Sequence, residues 1–249
     1  MASTGPTPLF ELVVPCLNES LSLPELVSQT VKAAQLFSLS TSQFQLVIVN
    51  NGSTDNSQKV LEELRQSSFS QWFRVVELPT NRGYGGGIYA GLKSTTAPWV
   101  GFSHADLQCA PEDAFRALKI AMGLESEVQK RVLVQGRRTG RSLIDWITSR
   151  GYELAVGIFW GFWCFDLNAQ PKVFQRQLID QLRNPPMGII FDAFVLKRAH
   201  IASFKRVAIP VLLKSRKHGE SSWAKGFSQR WKTYRKVISD LRMNSIRVQ

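Results

Sequence analysis

Short apolar runs alternate with helical patterns along the first half of this chain. Residues 10–15 read as a strand. Residues 21–37 read as a helix, with Leu26, Ala33, Ala34 and Phe37 near helical spacing. Residues 44–49, rich in Val and Ile, predict a second strand, and Asp55 stands where it can cap a helix running to about Leu64. Residues 73–78 predict a third strand, followed by a glycine-rich turn and a helix near 86–93. Residues 100–103 predict a fourth strand, Pro111 opens a helix at its first position, and residues 132–135 predict a fifth strand. This β-α-β-α rhythm with short connections predicts a parallel, doubly wound sheet. Ligands of such sheets bind at the carboxyl ends of the strands.

The second half is less regular. Residues 143–165 form a long apolar and aromatic stretch holding Trp146, Trp160, Phe162 and Trp163. Residues 174–182 and 189–197 predict helices, residues 207–213 a strand, and residues 228–243 a basic amphipathic helix. There is no internal repeat, no low-complexity tract and no obvious interdomain linker.

Composition bounds this picture. A chain of 249 residues with 44% hydrophobic content can bury a substantial core. Its longest uncharged apolar run, residues 154–165, is well short of the ~18–20 residues that span a bilayer. The start of the chain has neither a basic segment nor a long apolar one, so no secretory signal is expected. Cys16, Cys109 and Cys164 show neither metal nor disulfide spacing, which fits a reducing cytosol. The net charge of +12 favours anionic partners: nucleic acid, anionic lipid or phosphorylated ligands. No recognised nucleic-acid motif accompanies it.

The candidate chemistry lies at strand ends. His104, Asp106 and Gln108 follow the fourth strand at alternate positions, so on an extended segment they face one way. An imidazole, a carboxylate and an amide oxygen make a set for Mn²⁺, less so for Mg²⁺. The same residues equally read as a strand end with a helix cap behind it. After the first strand stand Pro15, Leu17 and Glu19, and after the second Asn50 and Asn51, groups able to hydrogen-bond a base or ribose or simply to shape turns. The run from Asn81 to Gly87, including Gly83 and Gly85, looks like a phosphate loop but lacks its Gly-Lys-Ser/Thr ending. Its Gly-x-Gly-x-x-Ala falls after the third strand, not the first, which argues against a dinucleotide fingerprint.

The order of these segments is more specific than any one of them. Pro15-x-x-Asn18-Glu19, Asn51-Gly52-Ser53-x-Asp55, Asn81-x-Gly83-x-Gly85 and Ala105-Asp106-Leu107-x-x-x-Pro111-Glu112, in a βαβ frame, resemble the family-2 glycosyltransferases of GT-A fold. Within them the dolichol- and polyprenyl-phosphate sugar synthases are the nearer resemblance. Downstream, Gly136-Arg137-Arg138, Ser149-Arg150-Gly151, Asp166 to Lys172 and Arg216-Lys217-His218-Gly219-Glu220-Ser221-Ser222 are similar to that group's later motifs, so the likeness covers roughly residues 10–240. Three departures stand out. Asn50 or Asn51 occupies a place usually held by Asp, His104 replaces the first metal carboxylate, and Ser222 replaces the closing Lys of the basic loop.

The resemblance implies one GT-A domain over residues 1–249, with a nucleotide-sugar-binding half over about 8–135 and an acceptor- and membrane-facing half over about 136–249. It implies an inverting transfer of a sugar from a nucleoside-diphosphate sugar to a polyprenyl phosphate, with Mn²⁺ or Mg²⁺ as cofactor. Pro15, Leu17, Glu19, Asn50, Asn51, Gly83, Gly85 and Ala105 would hold the donor, and His104, Asp106 and Gln108 the metal. Arg138, Arg150, Arg216, Lys217 and Ser222 would meet the phosphates of donor or acceptor. Arg137 reads as a solvated surface charge. Asp192 is the best candidate base for a hydroxyl acceptor, or else a salt-bridge partner ordering the Arg216 loop. The aromatic stretch and the basic last helix suit contact with a membrane surface. That predicts a peripheral protein on the cytoplasmic face of a membrane, with room for a separate membrane-spanning partner. Two other readings stay open: a transferase acting on a glycan or other hydroxyl, and a nucleotide-sugar binder without catalysis.

Overall fold

A computed structural model describes residues 7–214 and 226–244, with side chains of the last helix described from Arg235 onward. The elements run β1 (Phe10–Cys16), α1 (Leu23–Leu36), β2 (Phe44–Asn51), α2 (Ser57–Arg65), β3 (Phe73–Leu78), α3 (Gly83–Lys93), β4 (Trp99–Phe102), α4 (Glu112–Met122), α5 (Ser126–Gln129), β5 (Val132–Thr139), α6 (Leu143–Trp160), β6 (Lys172–Gln175), α7 (Phe191–Ile201), β7 (Lys205–Leu212) and α8 (Gly226–Met243). Two short 3₁₀ turns, Ser70–Trp72 and Arg176–Gln181, complete the order.

All seven strands join one sheet in the order β3-β2-β1-β4-β6-β5-β7. The β1–β2, β1–β4, β2–β3 and β5–β7 pairs are parallel, while β6 runs antiparallel to both its neighbours. The sheet is therefore mostly parallel, as the element rhythm predicts, with one reversed strand. That strand is also the main departure from the sequence reading, which expected a helix from Phe174. Phe174 instead pairs across to Val100 on one side and Leu133 on the other, fully buried. A short apolar run fits either element, and the slot between two strands decided it.

Alternating strand positions feed two cores. Phe10, Leu12, Val14, Phe44, Leu46 and Ile48 pack with α1 and α4 on one face. Val13, Val47, Val49, Val100 and Phe102 pack on the other with α3, α7 and the inner sides of α6 and α8. Phe10, Phe44 and Phe115 meet as an aromatic cluster in the first core, with centroids 4.9–5.9 Å apart. The three cysteines are free and buried, consistent with the absence of disulfide spacing.

α6 begins with Ser142, whose hydroxyl accepts from the Asp145 N–H at 3.2 Å, and ends at Gly161 in a left-handed conformation. It buries Glu153, Val156, Gly157 and Trp160. Trp160 and Phe162, expected among the interfacial aromatics, belong to the core instead, and Trp160 Nε1 donates to the Leu241 carbonyl at 3.0 Å. On α8, Val237 and Leu241 turn inward, whereas Ile238 lies partly outside the apolar face expected of it. Trp231 and Tyr234 lie outside the described side chains.

α3 crosses β1 and β2 at Gly91. A Cβ there would overlap Val13 Cγ1 and stand 2.7 Å from Val49 Cγ2, both in the sheet. Gly91→Ala is therefore expected to lose about 1–3 kcal/mol of stability in a denaturant titration. A stability equal to wild type would mean that α3 can ride up from the sheet at little cost.

Candidate active site

The order β3-β2-β1-β4 reverses direction of winding at the β1–β4 boundary, where parallel sheets open a crevice beyond their carboxyl ends. A cleft of about 290 Å³ lies there, lined by Pro15, Cys16, Leu17, Glu19, Asn51, Asn81, Gly83, Tyr84, His104, Ala105 and Asp106. Of the expected donor residues, Pro15, Leu17, Glu19, Asn51, Gly83 and Ala105 thus come together. Leu17 presents an exposed apolar side chain to this lining.

Side-chain hydrogen bonds lock the loops around the cleft. Asn18, at φ 57°, accepts from the N–H groups of Thr54 (2.8 Å) and Asp55 (3.3 Å). Asp55 accepts in turn from the N–H groups of Ser57 (2.9 Å) and Ser20 (3.2 Å), so it does steady the start of α2 as the sequence suggests. Burial pushes its carboxyl up, but the hydrogen bonds from Ser57 and Ser20 outweigh that and hold it below the usual range. Asn51 accepts from the Arg82 N–H (3.0 Å) and donates to the Gly83 carbonyl (3.0 Å), tying the end of β2 to the start of α3.

Asn50 departs from expectation. It donates to Gln58 and Glu77, both at 2.9 Å, accepts from the Ser53 N–H, and is not part of the cleft lining. Its register on β2 turns it away from Asn51, so only one of the pair borders the cleft.

The glycine run also serves a different end. The Gly85 and Gly86 N–H groups donate to the Met187 carbonyl at 2.8 and 3.2 Å, and the Gly83 N–H to Asn81 Oδ1 at 2.7 Å. Those donors are therefore taken before any phosphate arrives. A Cβ at Gly85 would stand 2.5 Å from the Pro186 carbonyl oxygen and 2.6 Å from Phe191 Cβ. Gly85 is needed for close packing beneath the cleft rather than for ligand contact.

The segment after β4 is not extended, which corrects the alternation read from sequence. β4 ends at Phe102, and Leu107 takes φ 56°, turning the chain. His104 and Asp106 stay at the cleft, whereas Gln108 swings out. Its amide donates to the Lys214 carbonyl at 3.3 Å, and its backbone N–H donates to Asp106 Oδ1 at 3.1 Å. Of the three residues expected to hold a metal, one imidazole and one carboxylate therefore remain in the cleft lining. Among the described residues no group of three His, Cys, Asp or Glu side chains comes together. Such a pair fits a cation that takes its remaining ligands from a diphosphate and water.

The expected phosphate-binding arginines are engaged elsewhere. Arg138 donates through its backbone N–H (2.6 Å) and Nε (2.8 Å) to Asp166, which also pairs with Arg141. Arg150 pairs with Glu153 at 2.6 Å and lies over the rings of Trp146 and Phe165. Burial pushes the Glu153 carboxyl up, opposed by the Asp166 N–H and by Arg150. Neither arginine lines the cleft, and Arg137 is exposed as expected. Arg216, Lys217 and Ser222 lie outside the described residues.

Asp192, expected as a base, is 1% exposed and ion-paired with Lys172, itself 0% exposed. Gln170 Nε2 also donates to Asp192 Oδ1 (2.8 Å), and Lys172 Nζ to the Ala169 carbonyl (3.0 Å). The ion-pair partner of Asp192 is thus Lys172, and the Arg216 loop that a salt bridge from Asp192 is expected to order lies outside the described residues. Asn81, which opens the Asn-x-Gly-x-Gly motif, also lines the cleft, as does Tyr84, which the sequence does not single out. The only signal for Tyr84 is an aromatic side chain inside a glycine run. Its ring stacks on His104 with centroids 5.4 Å apart and planes 15° from parallel.

The model of the family "Glycosyl transferase family 2" matches residues 11–202. This chain belongs to that family. Among solved structures it is similar to glucosyl-3-phosphoglycerate synthase from Mycobacterium tuberculosis, in complex with Mn²⁺, UDP and glucosyl-3-phosphoglycerate. The identity is 15%, the TM-score 0.67, and the match covers 94% of this chain and 78% of that one. A complex of the same synthase with Mg²⁺ and UDP matches at 14% identity and TM-score 0.64, over 94% and 78% of the two chains. A mannosyltransferase from Pyrobaculum calidifontis, in complex with GDP-Man and Mn²⁺, matches at 15% identity and TM-score 0.61, over 95% and 69%. These likenesses establish the GT-A fold of the family-2 glycosyltransferase.

Removing one partner of a buried ion pair strands the other charge. Lys172→Met is expected to cost about 3–5 kcal/mol in denaturant unfolding at neutral pH. The double variant K172M/D192L, with neither charge, is expected to recover most of that loss. Equal losses in the single and double variants would show that Lys172 matters for packing rather than for charge.

Proposed function

We propose that the protein transfers a sugar from a nucleoside-diphosphate sugar to a polyprenyl phosphate, with Mn²⁺ or Mg²⁺ at the cleft. The observation that carries the acceptor choice is the state of Asp192. A hydroxyl acceptor needs a base to take its proton, and the carboxylate standing at the expected place is buried against Lys172. A phosphate monoester is already an anion at neutral pH and needs no such base. The solved neighbours named above bind UDP or GDP-Man with Mn²⁺ or Mg²⁺, which supports the donor class and the cofactor.

On this reading Leu17 and Glu19 meet the nucleoside, and Asn51 keeps the end of β2 and the start of α3 in register beside it. His104 and Asp106 hold the cation, which when bound supplies positive charge against the leaving diphosphate. An acceptor phosphate oxygen forms a bond to the anomeric carbon as the bond to the nucleoside diphosphate breaks, with inversion. The residues of the cleft then serve to orient donor and acceptor in line.

The membrane surface enters through α6. Leu143, Ile144, Ile147, Leu154 and Ile158 form an outward apolar stripe, continued by Trp163 and Phe165, which are 68% and 69% exposed. Trp163 lies flat over Gly157. Beside this stripe α8 presents exposed Arg235, Lys236 and Arg242, the last over the ring of Phe159. An apolar stripe flanked by cations suits the interface of an anionic bilayer. No helix among the described residues is long and apolar enough to cross a membrane. Peripheral attachment at a cytoplasmic face, alone or with a membrane-spanning partner, is the proposed location.

Two measurements test these statements. Purified protein with Mn²⁺ or Mg²⁺, a panel of labelled UDP- and GDP-sugars and polyprenyl phosphate is expected to move label into the organic phase with one donor. Asp106→Ala is expected to lower that rate by at least about 10²-fold. Release of nucleoside diphosphate only with a glycan acceptor would reject the lipid-phosphate reading. In vesicle co-sedimentation, wild type is expected to bind vesicles containing anionic lipid, and I147E/I158E to bind at least about tenfold more weakly. Equal binding by the two proteins would remove α6 from the membrane-facing surface.

A further inference from the structure

The family's first metal carboxylate is an imidazole in this chain, and an imidazole must be aimed. A carboxylate offers two equivalent oxygens, whereas a ring nitrogen has one lone pair in the ring plane. Neighbours that fix the ring plane therefore decide whether it can serve as a ligand.

The structure supplies such a neighbour. Tyr84, in the first turn of α3, stacks on His104 at 5.4 Å and 15°. The far end of the tyrosine is held as well, because Gln170 Nε2 lies 3.1 Å from the phenol oxygen. Gln170 is 1% exposed and also donates to Asp192, which pairs with Lys172. The Gly85 and Gly86 N–H bonds to Met187 fix the backbone on which Tyr84 sits.

We infer that Tyr84 is a positioning residue for His104, a buttress that runs from the buried Lys172–Asp192 pair through Gln170 to the metal-facing imidazole. This rests on the reading of the cleft as a nucleoside-diphosphate and metal site. It goes further by giving the histidine substitution a compensating partner in a position that the sequence motifs do not mark.

The test uses the full chain and two readouts. The first needs no metal. The chain has three histidines, and in the NMR spectrum of the apo protein the His104 ring protons, assigned with H104Q, are expected upfield by ring-current shift. That shift is expected to persist in Y84F and to vanish in Y84L. An unshifted His104 resonance in wild type would overturn the stack outright, whether or not Y84L folds. The second is calorimetric titration of Mn²⁺ with UDP, and separately with GDP, into wild type, Y84F and Y84L. Binding is expected to weaken about threefold in Y84F, which keeps the ring but loses the bond to Gln170. It is expected to weaken about thirtyfold in Y84L, with thermal midpoints checked beside it. Wild type that binds neither nucleotide would overturn both the reading of the cleft and this inference. Wild type that binds, with Y84L binding equally well, would overturn only the role of Tyr84.

Discussion

A lysine and an aspartate with almost no exposure face each other where the sheet meets its second helical layer. Lys172 opens the one reversed strand, β6, and Asp192 sits in the first turn of α7. Desolvating both charges is costly, and such a pair contributes little net stability compared with apolar side chains of the same shape. What it imposes is geometry. Neither charge tolerates separation, so β6 and α7 are held in one relative placement. Phe102 lies under the ammonium at 5.4 Å, which extends the constraint to β4, the strand that leads into His104 and Asp106. The segment just before α7 accepts the Gly85 and Gly86 N–H groups, which extends it to α3. The cleft wall is therefore fixed from below by a contact that is not part of the cleft lining.

Above that contact, most polar side chains at the carboxyl edge are occupied with one another. Asn18, Asn50, Asn51, Ser53 and Asp55 hold loops to loops, and Asn81 and Met187 take the free N–H groups at the start of α3. Arg138 and Arg141 close on Asp166, and Arg150 on Glu153. A rigid frame of this kind suits a site whose chemistry is positioning plus charge stabilisation, because preorganised groups need not rearrange as the transition state forms.

Strand existence was legible wherever an apolar run stood between turn residues, which is why β1 to β5 lie close to where the pattern put them. β6 was not, because Val173 and Phe174 are too few to carry a period and their partners come from strands 40 and 70 residues earlier. At the cleft, motif order located Leu17, Glu19, His104 and Asp106. It could not separate Asn51 from Asn50, whose side chains leave opposite faces of the same strand, nor foresee the left-handed turn at Leu107 that takes Gln108 away. Arg138 and Arg150 stand away from the cleft lining for a simpler cause. A guanidinium suits a phosphate and a carboxylate alike, and only the fold reveals that Asp166 and Glu153 are near enough to claim Arg138 and Arg150.

The same asymmetry governs α6. Its apolar residues fall at positions 143, 147, 154 and 158, a spacing that marks one helical stripe, and a stripe of that kind ordinarily faces a core. Here the core is already closed by Val156, Gly157 and Trp160 on the adjoining side, and the stripe is left outside. The helix starts just past the carboxyl end of β5, the same edge of the sheet that carries the cleft, and its 18 residues are about 27 Å long. A surface lying against the start of this stripe, at Leu143, Ile144 and Ile147, thus meets the molecule at the edge of the sheet that carries the cleft. On the lipid-phosphate reading, that shared edge lets the phosphate of an acceptor remain at the headgroup level while it reaches the donor, so the lipid chain need never leave the bilayer.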